Sequence, residues 1–220
     1  MGDRVWVSSI FVNIEIGFKQ GTHSKFFGDD WNPASFDIPV EPDEVYSALR
    51  RYRCGFALNR EDFPEAEAVF DPGRFKKQRE IFYVGPFLAV KGEFAKELAG
   101  IDLGNGGLIP FTIYATDRIT PLQEEFFVLS IGNQKNTFNS ERSQNVRKLG
   151  VDKNSGHQFW AINGWFKDGE IAVSAEALAG PDLWIEETVN NKLFISNRCA
   201  EAIHRVGLSG AFELRECTVL

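Results

Sequence analysis

Apolar and polar residues alternate near the start of the chain. Between Ile10 and Phe18, apolar side chains recur at every second position, and this period of two predicts a β-strand with one apolar face. Residues 19–39 follow and are rich in Gly, Asp, Pro and Phe. Such a composition favours turns, so the segment is predicted to be a long loop.

The next segment has a helical pattern. The apolar side chains of Val45, Leu49 and Tyr52 recur at the spacing of one helix face. Pro42 and Asp43 precede them and are typical of a first helical turn. We therefore predict a helix that begins at these two residues.

A polar stretch divides the chain into two predicted regions. Residues 59–79 are mostly polar and charged and contain a Pro-Gly turn. A boundary there separates an N-terminal strand, loop and helix region, 1–74, from an α+β domain, 75–220. The alternative is one continuous domain.

A unit of strand, helix and strand occurs twice in the second region. Leu88–Lys91 precedes a helical stretch that ends at Gly100, and Leu193–Ser196 precedes one that ends at Gly207. A shorter copy begins at 171–174. In the copies that contain a serine after the strand, this serine is well placed to cap the N-terminus of the helix. The glycine at the other end of the helix suits a left-handed C-terminal cap. The pattern is either an internal duplication or a unit that is frequent in α+β folds.

Further apolar runs predict more strands. Leu108–Tyr114 and Ala211–Val219 complete the two copies, and Glu125–Ile131 and His157–Gly164 lie between them. We predict a hairpin over 159–173. Many strands with three to four short helices predict an α+β fold built on mostly antiparallel sheet.

The composition of the chain indicates an aromatic core and an excess of acidic over basic residues. The chain has 220 residues, 20 of them Phe, and its 31 acidic and 24 basic residues give a net charge of −7. The aromatic side chains predict a large buried core. The negative charge disfavours nucleic acid as the main partner and suits a basic protein. Solubility is the alternative reason for such a charge.

The cysteines and the apolar runs bear on the compartment. Cys54, Cys199 and Cys217 have no paired spacing, so they are predicted to be small buried side chains in a reducing compartment. A disulfide between Cys199 and Cys217 is the alternative. No apolar run reaches about 18 residues, so no membrane span is predicted. The first residues lack the pattern of an export signal. We expect a cytoplasmic protein.

No motif for catalysis or metal binding stands out. The serines lack the GxSxG spacing, and three His and three Cys lack zinc-ligand spacing. The glycines within 104–107 predict a turn rather than a phosphate loop. The basic segment 74–79 is predicted to be a surface turn. We therefore expect no catalytic residues, no cofactor and no metal, and a protein that is not an enzyme.

Two tryptophans beside turns are candidate aromatic contacts. Trp165 follows Asn-Gly and Trp184 follows Gly-Pro-Asp-Leu, so both are expected to be half-exposed. Half-exposed Trp side chains anchor protein interfaces, and the same two would line a ligand cleft. Trp160 lies inside an apolar run and is expected in the core. For Trp165 and Trp184, the alternative is that the side chain packs inside the protein.

Three segments of the second region resemble a known family. They are Glu80–Val90 with the helix that follows it, Gly180–Trp184 (Gly-Pro-Asp-Leu-Trp), and Lys192–Cys217, which ends in a strand. They are similar in order and spacing to a bacterial immunity-protein family of polymorphic toxin systems, first described as a domain of unknown function with a myxobacterial founder. The resemblance covers roughly residues 75–220 and includes no catalytic or ligand residues. It implies a non-enzymatic protein that binds and neutralises a cognate toxin made by the same cell.

The favoured hypothesis is therefore a cytoplasmic immunity protein that binds its toxin by shape and charge. The densest acidic region and the two turn tryptophans supply the candidate contacts: Asp29, Asp30, Asp37, Glu41, Asp43, Glu44, Trp165 and Trp184. A solvated loop is the alternative for the acidic residues. Two other functions stay open: a ligand-binding or enzymatic domain with an aromatic cleft, and a structural component of a phage or secretion apparatus.

Overall fold

The computed structural model describes residues 3–17, 21–28, 31, 43–151 and 156–220. Within these ranges the fold is α+β with mostly antiparallel sheets, as the sequence predicts. None of the helices in these ranges has the length and apolar character that crossing a bilayer requires.

Short strands and helices alternate along the described chain. The strands are β1 (Val5–Ser8), β2 (Thr22–Lys25), β3 (Ala66–Val69), β4 (Ile81–Val84), β5 (Phe87–Lys91), β6 (Gly107–Tyr114), β7 (Phe126–Ser130), β8 (Gln134–Lys135), β9 (Val146–Val151), β10 (Gln158–Ile162), β11 (Ala172–Val173), β12 (Leu183–Glu186), β13 (Val189–Asn190), β14 (Leu193–Ser196), β15 (Arg215–Glu216) and β16 (Thr218–Val219). The helices are α1 (Ile14–Gly17), α2 (Asp43–Arg53), α3 (Pro72–Phe75), α4 (Gly92–Leu98), α5 (Asn197–Arg205) and α6 (Ser209–Phe212), with 3-10 turns at Ile10–Val12, Arg60–Asp62 and Ala175–Leu178.

The largest sheet has six strands in the order β2-β3-β6-β7-β5-β4 and curls into a half barrel. Strands β3 and β6 are parallel, and the other neighbours are antiparallel. Helix α2, predicted from its apolar face, packs here through Tyr52. The Tyr52 ring contacts Phe63 and Phe87 edge-on at centroid distances of 6.2 and 5.3 Å. Its hydroxyl donates to the Leu129 carbonyl at 2.9 Å.

A second sheet of five strands separates two hydrophobic clusters. Its order is β15-β1-β14-β12-β8. Along β12, Leu183 and Ile185 belong to the larger cluster, whereas Trp184 between them belongs to the smaller one. Successive side chains of a strand point to opposite faces. Both faces of this sheet are therefore buried at β12.

The remaining strands form two small sheets, one in the order β13-β10-β9 and the other from the parallel pair β11 and β16. The predicted hairpin over 159–173 is wrong. Strand β10 pairs with β9 and β13, and β11 pairs with β16 at the end of the chain. Both strands therefore have partners outside the predicted hairpin.

The predicted strand over residues 10–18 is also wrong. Strand β1 precedes it, and the 3-10 turn Ile10–Val12 and helix α1 (Ile14–Gly17) lie where the strand was predicted, while residue 18 is outside the described residues. The Ser8 hydroxyl accepts from the Ile10 amide at 3.1 Å, and the Asn13 side-chain oxygen accepts from the Glu15 amide at 2.9 Å. Such local bonds satisfy backbone amides within a turn and compete with a strand ladder.

The prediction of a long loop over residues 19–39 is wrong for the part of the segment that forms a strand. Residues 22–25 form β2, which pairs antiparallel with β3. Residues 19, 20, 29, 30 and 32–39 lie outside the described residues.

The two strand–helix units are confirmed as β5–α4 and β14–α5. Ser196 caps α5 as predicted, because its hydroxyl accepts from the Cys199 amide at 3.2 Å. Gly207 is left-handed, with φ of 71°, whereas Gly100 is not. The shorter copy continues into a 3-10 turn, and Ser174 makes no side-chain cap there.

Strands predicted at 108–114, 125–131 and 157–164 are confirmed as β6, β7 and β10. The strand predicted at 211–219 is wrong in its first part, which forms α6. Phe212 of that helix is buried and packs edge-on against Phe94 of α4 at 5.6 Å. The core contact made by Phe212 favours a helical turn over an extended chain at this point.

Both large sheets contain strands from either side of the predicted boundary at residue 74. Strand β1 lies in the five-stranded sheet, and β2 and β3 lie in the six-stranded sheet. The division into 1–74 and 75–220 stays a prediction about folding units.

Candidate interaction surface

A groove of about 360 Å³ lies beside the first turns of helix α2. The residues after β2 and the 3-10 turn at 60–62 form its other walls. The lining side chains are Phe26, Phe27, Glu44, Val45, Ala48, Glu61 and Asp62. We call this surface the acidic groove.

Apolar side chains form the floor of the acidic groove. Val45 and Ala48 are three positions apart on α2, so they share one face, and both are buried. Phe26 is buried as well, whereas Phe27 is exposed. The Arg60 guanidinium lies over the Phe27 ring, 4.9 Å from its centroid. The Phe27 ring is therefore partly covered by Arg60 and partly exposed beside the apolar floor.

Asp62 is held in place by the turn that contains it. The Asn59 amide donates to Asp62 Oδ2 at 2.8 Å, within a capping box that these two residues form. Arg51 of α2 lies 3.7 Å from the same carboxylate. The ion pair connects the 3-10 turn to α2 and keeps the groove walls together.

Glu44 and Glu61 supply negative charge at the rim of the groove. Both are exposed, and neither has a salt-bridge partner among the described residues. Asp43 precedes Glu44 in the first turn of α2, where the helix dipole favours carboxylates. These carboxylates are available to a partner.

Arg60 is a cation on the same surface, and two of its five N–H donors are used within the chain. Its two terminal nitrogens donate to the carbonyls of Pro64 and Glu65 at 2.7 and 3.0 Å. Burial lowers the pKa of this guanidinium, and the charge of Glu61 acts in the opposite direction. Arg60 therefore braces the turn.

An apolar floor with carboxylates at its rim suits a basic segment of a partner. A Lys or Arg side chain would lay its aliphatic stem on Phe27 and direct its charge to Glu44 or Glu61. A single exposed ion pair contributes only about 0–1 kcal/mol. The charges therefore act mainly on the rate of encounter and on the choice of partner.

Part of the predicted acidic region lies at this groove. Glu44 lines it, and Asp43 is exposed in the same helical turn. The other predicted acidic residues lie outside the described residues: Asp29, Asp30, Asp37 and Glu41. Sequence reasoning missed Phe27, Glu61 and Asp62. The Asn-x-x-Asp spacing of the capping box was a visible local signal, but it does not show that the turn folds against α2.

The two predicted tryptophans lie in opposite environments. Trp165 is 96% exposed and remains a candidate contact. Trp184 is fully buried, so the expectation that it is half-exposed is wrong. It stacks on Phe194, and its Nε1 donates to Glu186 at 2.9 Å. No surface cleft is therefore lined by both, and Trp160, expected in the core, is partly exposed on β10.

The thiols do not form a reactive site. Cys199 and Cys217 are buried and free, as predicted, and burial raises the pKa of both thiols. Cys54 is free but exposed, so the expectation of burial is wrong for it. Within the described ranges, no group of three or more His, Cys, Asp or Glu side chains is placed to hold a metal ion.

One serine–histidine pair was not found from the sequence. His204 Nδ1 lies 2.5 Å from the Ser209 hydroxyl at the exposed end of α5. A catalytic pair needs a third group that orients the imidazole. Among the described residues, the His204 ring also packs in a T-shaped arrangement with the Trp6 ring, with centroids 5.9 Å apart. The pair therefore links α5 to the start of α6.

The predicted surface turns are confirmed. Gly104 is left-handed, with φ of 55°, and β6 begins at Gly107. The basic segment 74–79 begins in the last two residues of the short helix α3, continues into a turn, and is mostly exposed.

Neither a scan against protein-family models nor a search of curated proteins finds a match to this sequence.

Proposed function

We propose that this chain is an immunity protein that binds a cognate bacterial toxin and that the acidic groove contacts a basic segment of that toxin. The observation that carries the proposal is the pair of exposed carboxylates, Glu44 and Glu61, which have no salt bridge among the described residues and lie around the partly exposed ring of Phe27. An aromatic ring with adjacent charge is typical of an interface anchor.

Two further features support the proposal. The resemblance of residues 75–220 to an immunity-protein family suggests the class of function. The net charge of −7 would steer a basic partner toward the protein. The groove lies outside the resembling segments, so the resemblance supports the function and the geometry supports the contact surface. We place the protein in the cytoplasm of the toxin-producing cell.

Co-expression with the toxin encoded by the neighbouring gene tests the function. The wild-type chain is expected to restore growth and to co-purify with the toxin. Growth arrest in spite of well-expressed, folded protein would contradict the proposed function.

Charge reversal tests the groove. The double variant Glu44→Lys with Glu61→Lys is expected to weaken toxin binding by about tenfold or more at low salt, because attraction becomes repulsion. The matched control is Glu141→Lys with Glu187→Lys, two exposed carboxylates outside the groove. Both double variants carry the same net charge. Equal loss in both would show a general charge effect and reject the groove as the contact.

The structure favours no second function. The alternative of an aromatic ligand cleft depended on Trp165 and Trp184 together, and the burial of Trp184 removes that site.

A further inference from the structure

Strand β9 is an open edge of the three-stranded sheet. In the order β13-β10-β9 it pairs with β10 alone. On its other side, β9 has no strand partner in the described part of the chain. Of its backbone groups, the Gly150 carbonyl accepts from the Gln158 side chain. The register shifts at Leu149, where β9 has a β-bulge. An exposed edge is a template for another strand, and the bulge and the charged side chains restrict which strand can add to it.

Apolar side chains are exposed along this edge. Leu149 is 43% exposed and Val151 is 59% exposed. Exposed aliphatic groups on an edge strand add an apolar contact to the backbone hydrogen bonds that a partner strand would form. Without a partner they promote aggregation.

Two basic residues lie in the middle of the same strand. Arg147 and Lys148 are exposed and have no salt bridge among the described residues. Lys148 lies across from Trp160 on β10, with its Nζ 5.6 Å from the ring centroid. On a chain of net charge −7, this edge is locally positive.

We propose that β9 is a strand-addition site for a segment of a partner protein. That segment is extended and contains both acidic and apolar residues. The open backbone edge supplies main-chain hydrogen bonds. Arg147 and Lys148 are consecutive and therefore point to opposite faces of the strand, so they favour a partner with two adjacent acidic residues, one on each face. The exposed side chains of Leu149 and Val151 receive the apolar residues. This site is independent of the acidic groove, which has the opposite charge.

The charges also argue against two other occupants. A second copy would bring Arg147 and Lys148 close to the same residues of its own β9, and like charges across a strand pair are destabilising. A nucleic acid would meet a chain of net charge −7 and aliphatic side chains that do not stack on bases. An acidic strand meets neither obstacle.

A synthetic peptide tests the proposal directly. The probe is fluorophore-labelled acetyl-Thr-Val-Thr-Val-Glu-Asp-Thr-amide, in which the two adjacent acidic residues can lie opposite Arg147 and Lys148, and binding is measured by fluorescence anisotropy at low salt. Hydrogen exchange of the amides of 146–151 then distinguishes strand pairing from side-chain contact. We expect saturable binding, with exchange on β9 slowed about fivefold or more at saturation. A peptide with a central proline, and one with Lys for the two acidic residues, are expected to bind at least about tenfold more weakly.

Charge-reversed proteins complete the test. Arg147→Glu with Lys148→Glu is expected to weaken peptide binding about tenfold or more. The matched control, Lys76→Glu with Lys77→Glu, changes the net charge equally in an exposed turn and is expected to bind normally.

Several outcomes would overturn the proposal. These are no binding of the acidic peptide, equal binding to both charge-reversed proteins, tighter binding of a labelled single-stranded DNA, or dimerisation of the wild-type chain through β9 seen by light scattering. The groove variant Glu44→Lys with Glu61→Lys is expected to keep peptide binding, so failure of the groove and failure of the edge are separate results.

Discussion

Lys192 is a buried cation whose environment favours its neutral form. Its side chain is only 4% exposed, and its Nζ donates to the Ser9 hydroxyl at 2.6 Å and lies 4.8 Å from the centroid of the Phe166 ring. Burial lowers its pKa from 10.5 to about 8, and the charge of Glu213 acts in the opposite direction. Folding is therefore coupled to the loss of a proton from this residue.

The sign of the coupling gives a pH prediction. Between pH 8 and 10.5 the unfolded chain binds more protons at Lys192 than the folded chain, so this residue makes the free energy of unfolding rise with pH in that window. From about pH 7 to about pH 9.5 the gain is about 2 kcal/mol. Lys192→Met is expected to lose this gain relative to wild type, measured by urea unfolding at both values. Equal pH dependence of both proteins would contradict the prediction.

Glu186 and Glu187 are a matched pair for a second prediction. Glu186 is buried and accepts from the amides of Thr137 and Phe138 at 2.7 and 3.0 Å and from the indole of Trp184 at 2.9 Å, as well as from the Thr137 hydroxyl. Glu186→Gln places an NH₂ group against these donors, so we expect a loss of about 2 kcal/mol in the free energy of unfolding. Glu187→Gln, at an exposed position, is expected to change it by less than about 0.5 kcal/mol. Chemical unfolding measures both, and similar losses would show that the buried network is not the cause.

Trp184 shows what local reasoning misses at a single residue. The Gly-Pro turn before it suggested exposure, but the continuous run Leu-Trp-Ile around it is typical of a strand buried on both faces. The residues of the acidic groove show the complementary difficulty. Glu44 stands out in the sequence as part of an acidic region, whereas Glu61 becomes a site residue only because the 60–62 turn packs beside α2.

Element-scale stability depends on caps that the sequence shows clearly. Ser196 accepts from the Cys199 amide at 3.2 Å and donates to Asp182 at 2.6 Å. Ser196→Ala is expected to lower the free energy of unfolding by about 1–2 kcal/mol, because it removes the cap of α5 and one hydrogen bond to a buried carboxylate. Ser174→Ala is the control, since Ser174 has the corresponding position in the shorter copy without capping it. Thermal unfolding compares the two, and equal losses would show that capping is not the reason.

The elements that were predicted correctly are those for which hydrophobic periodicity and capping residues indicate the same structure. An apolar strand followed by an amphipathic helix identified β5–α4 and β14–α5, and the serine cap identified where α5 begins. The prediction for residues 10–18 was wrong because apolar and polar side chains alternate there as they do in a strand. Ile14, one of the alternating residues, is 70% exposed. The side-chain hydrogen bonds of Asn13 and its neighbours decide the local conformation there, and the pattern of apolar positions contains no information about these bonds.

Pairing between distant strands is the part of the architecture that the sequence does not show. Strand β10 pairs with β13, and β11 pairs with β16, although nearer strands had compatible patterns. Each short strand has apolar side chains that suit several partners. The choice depends on how the whole chain packs around two clusters, which is a property of the complete molecule.

The N-terminal region therefore has a structural role that can be tested on the whole molecule. Strand β1 lies between β14 and β15, and β2 and β3 extend the six-stranded sheet beyond β6. Tyr52 and Phe63 pack against Phe87, with the Phe63 and Phe87 rings 5.0 Å apart. Removing residues 1–74 would open a sheet edge at β14 and another at β6, and would expose part of the larger cluster.

We predict that residues 75–220 alone do not unfold cooperatively, although they include all the segments that resemble the immunity family. The exposed edges and apolar surface are expected to cause aggregation, seen by light scattering, and the fragment should lack the thermal transition of the full chain. Co-expression of residues 1–74 as a separate chain is the control, because it returns β1, β2, β3 and α2, and it should restore a soluble complex. A cooperative transition of the isolated fragment near that of the full chain would show that residues 75–220 are an independent domain, with residues 1–74 an addition to it.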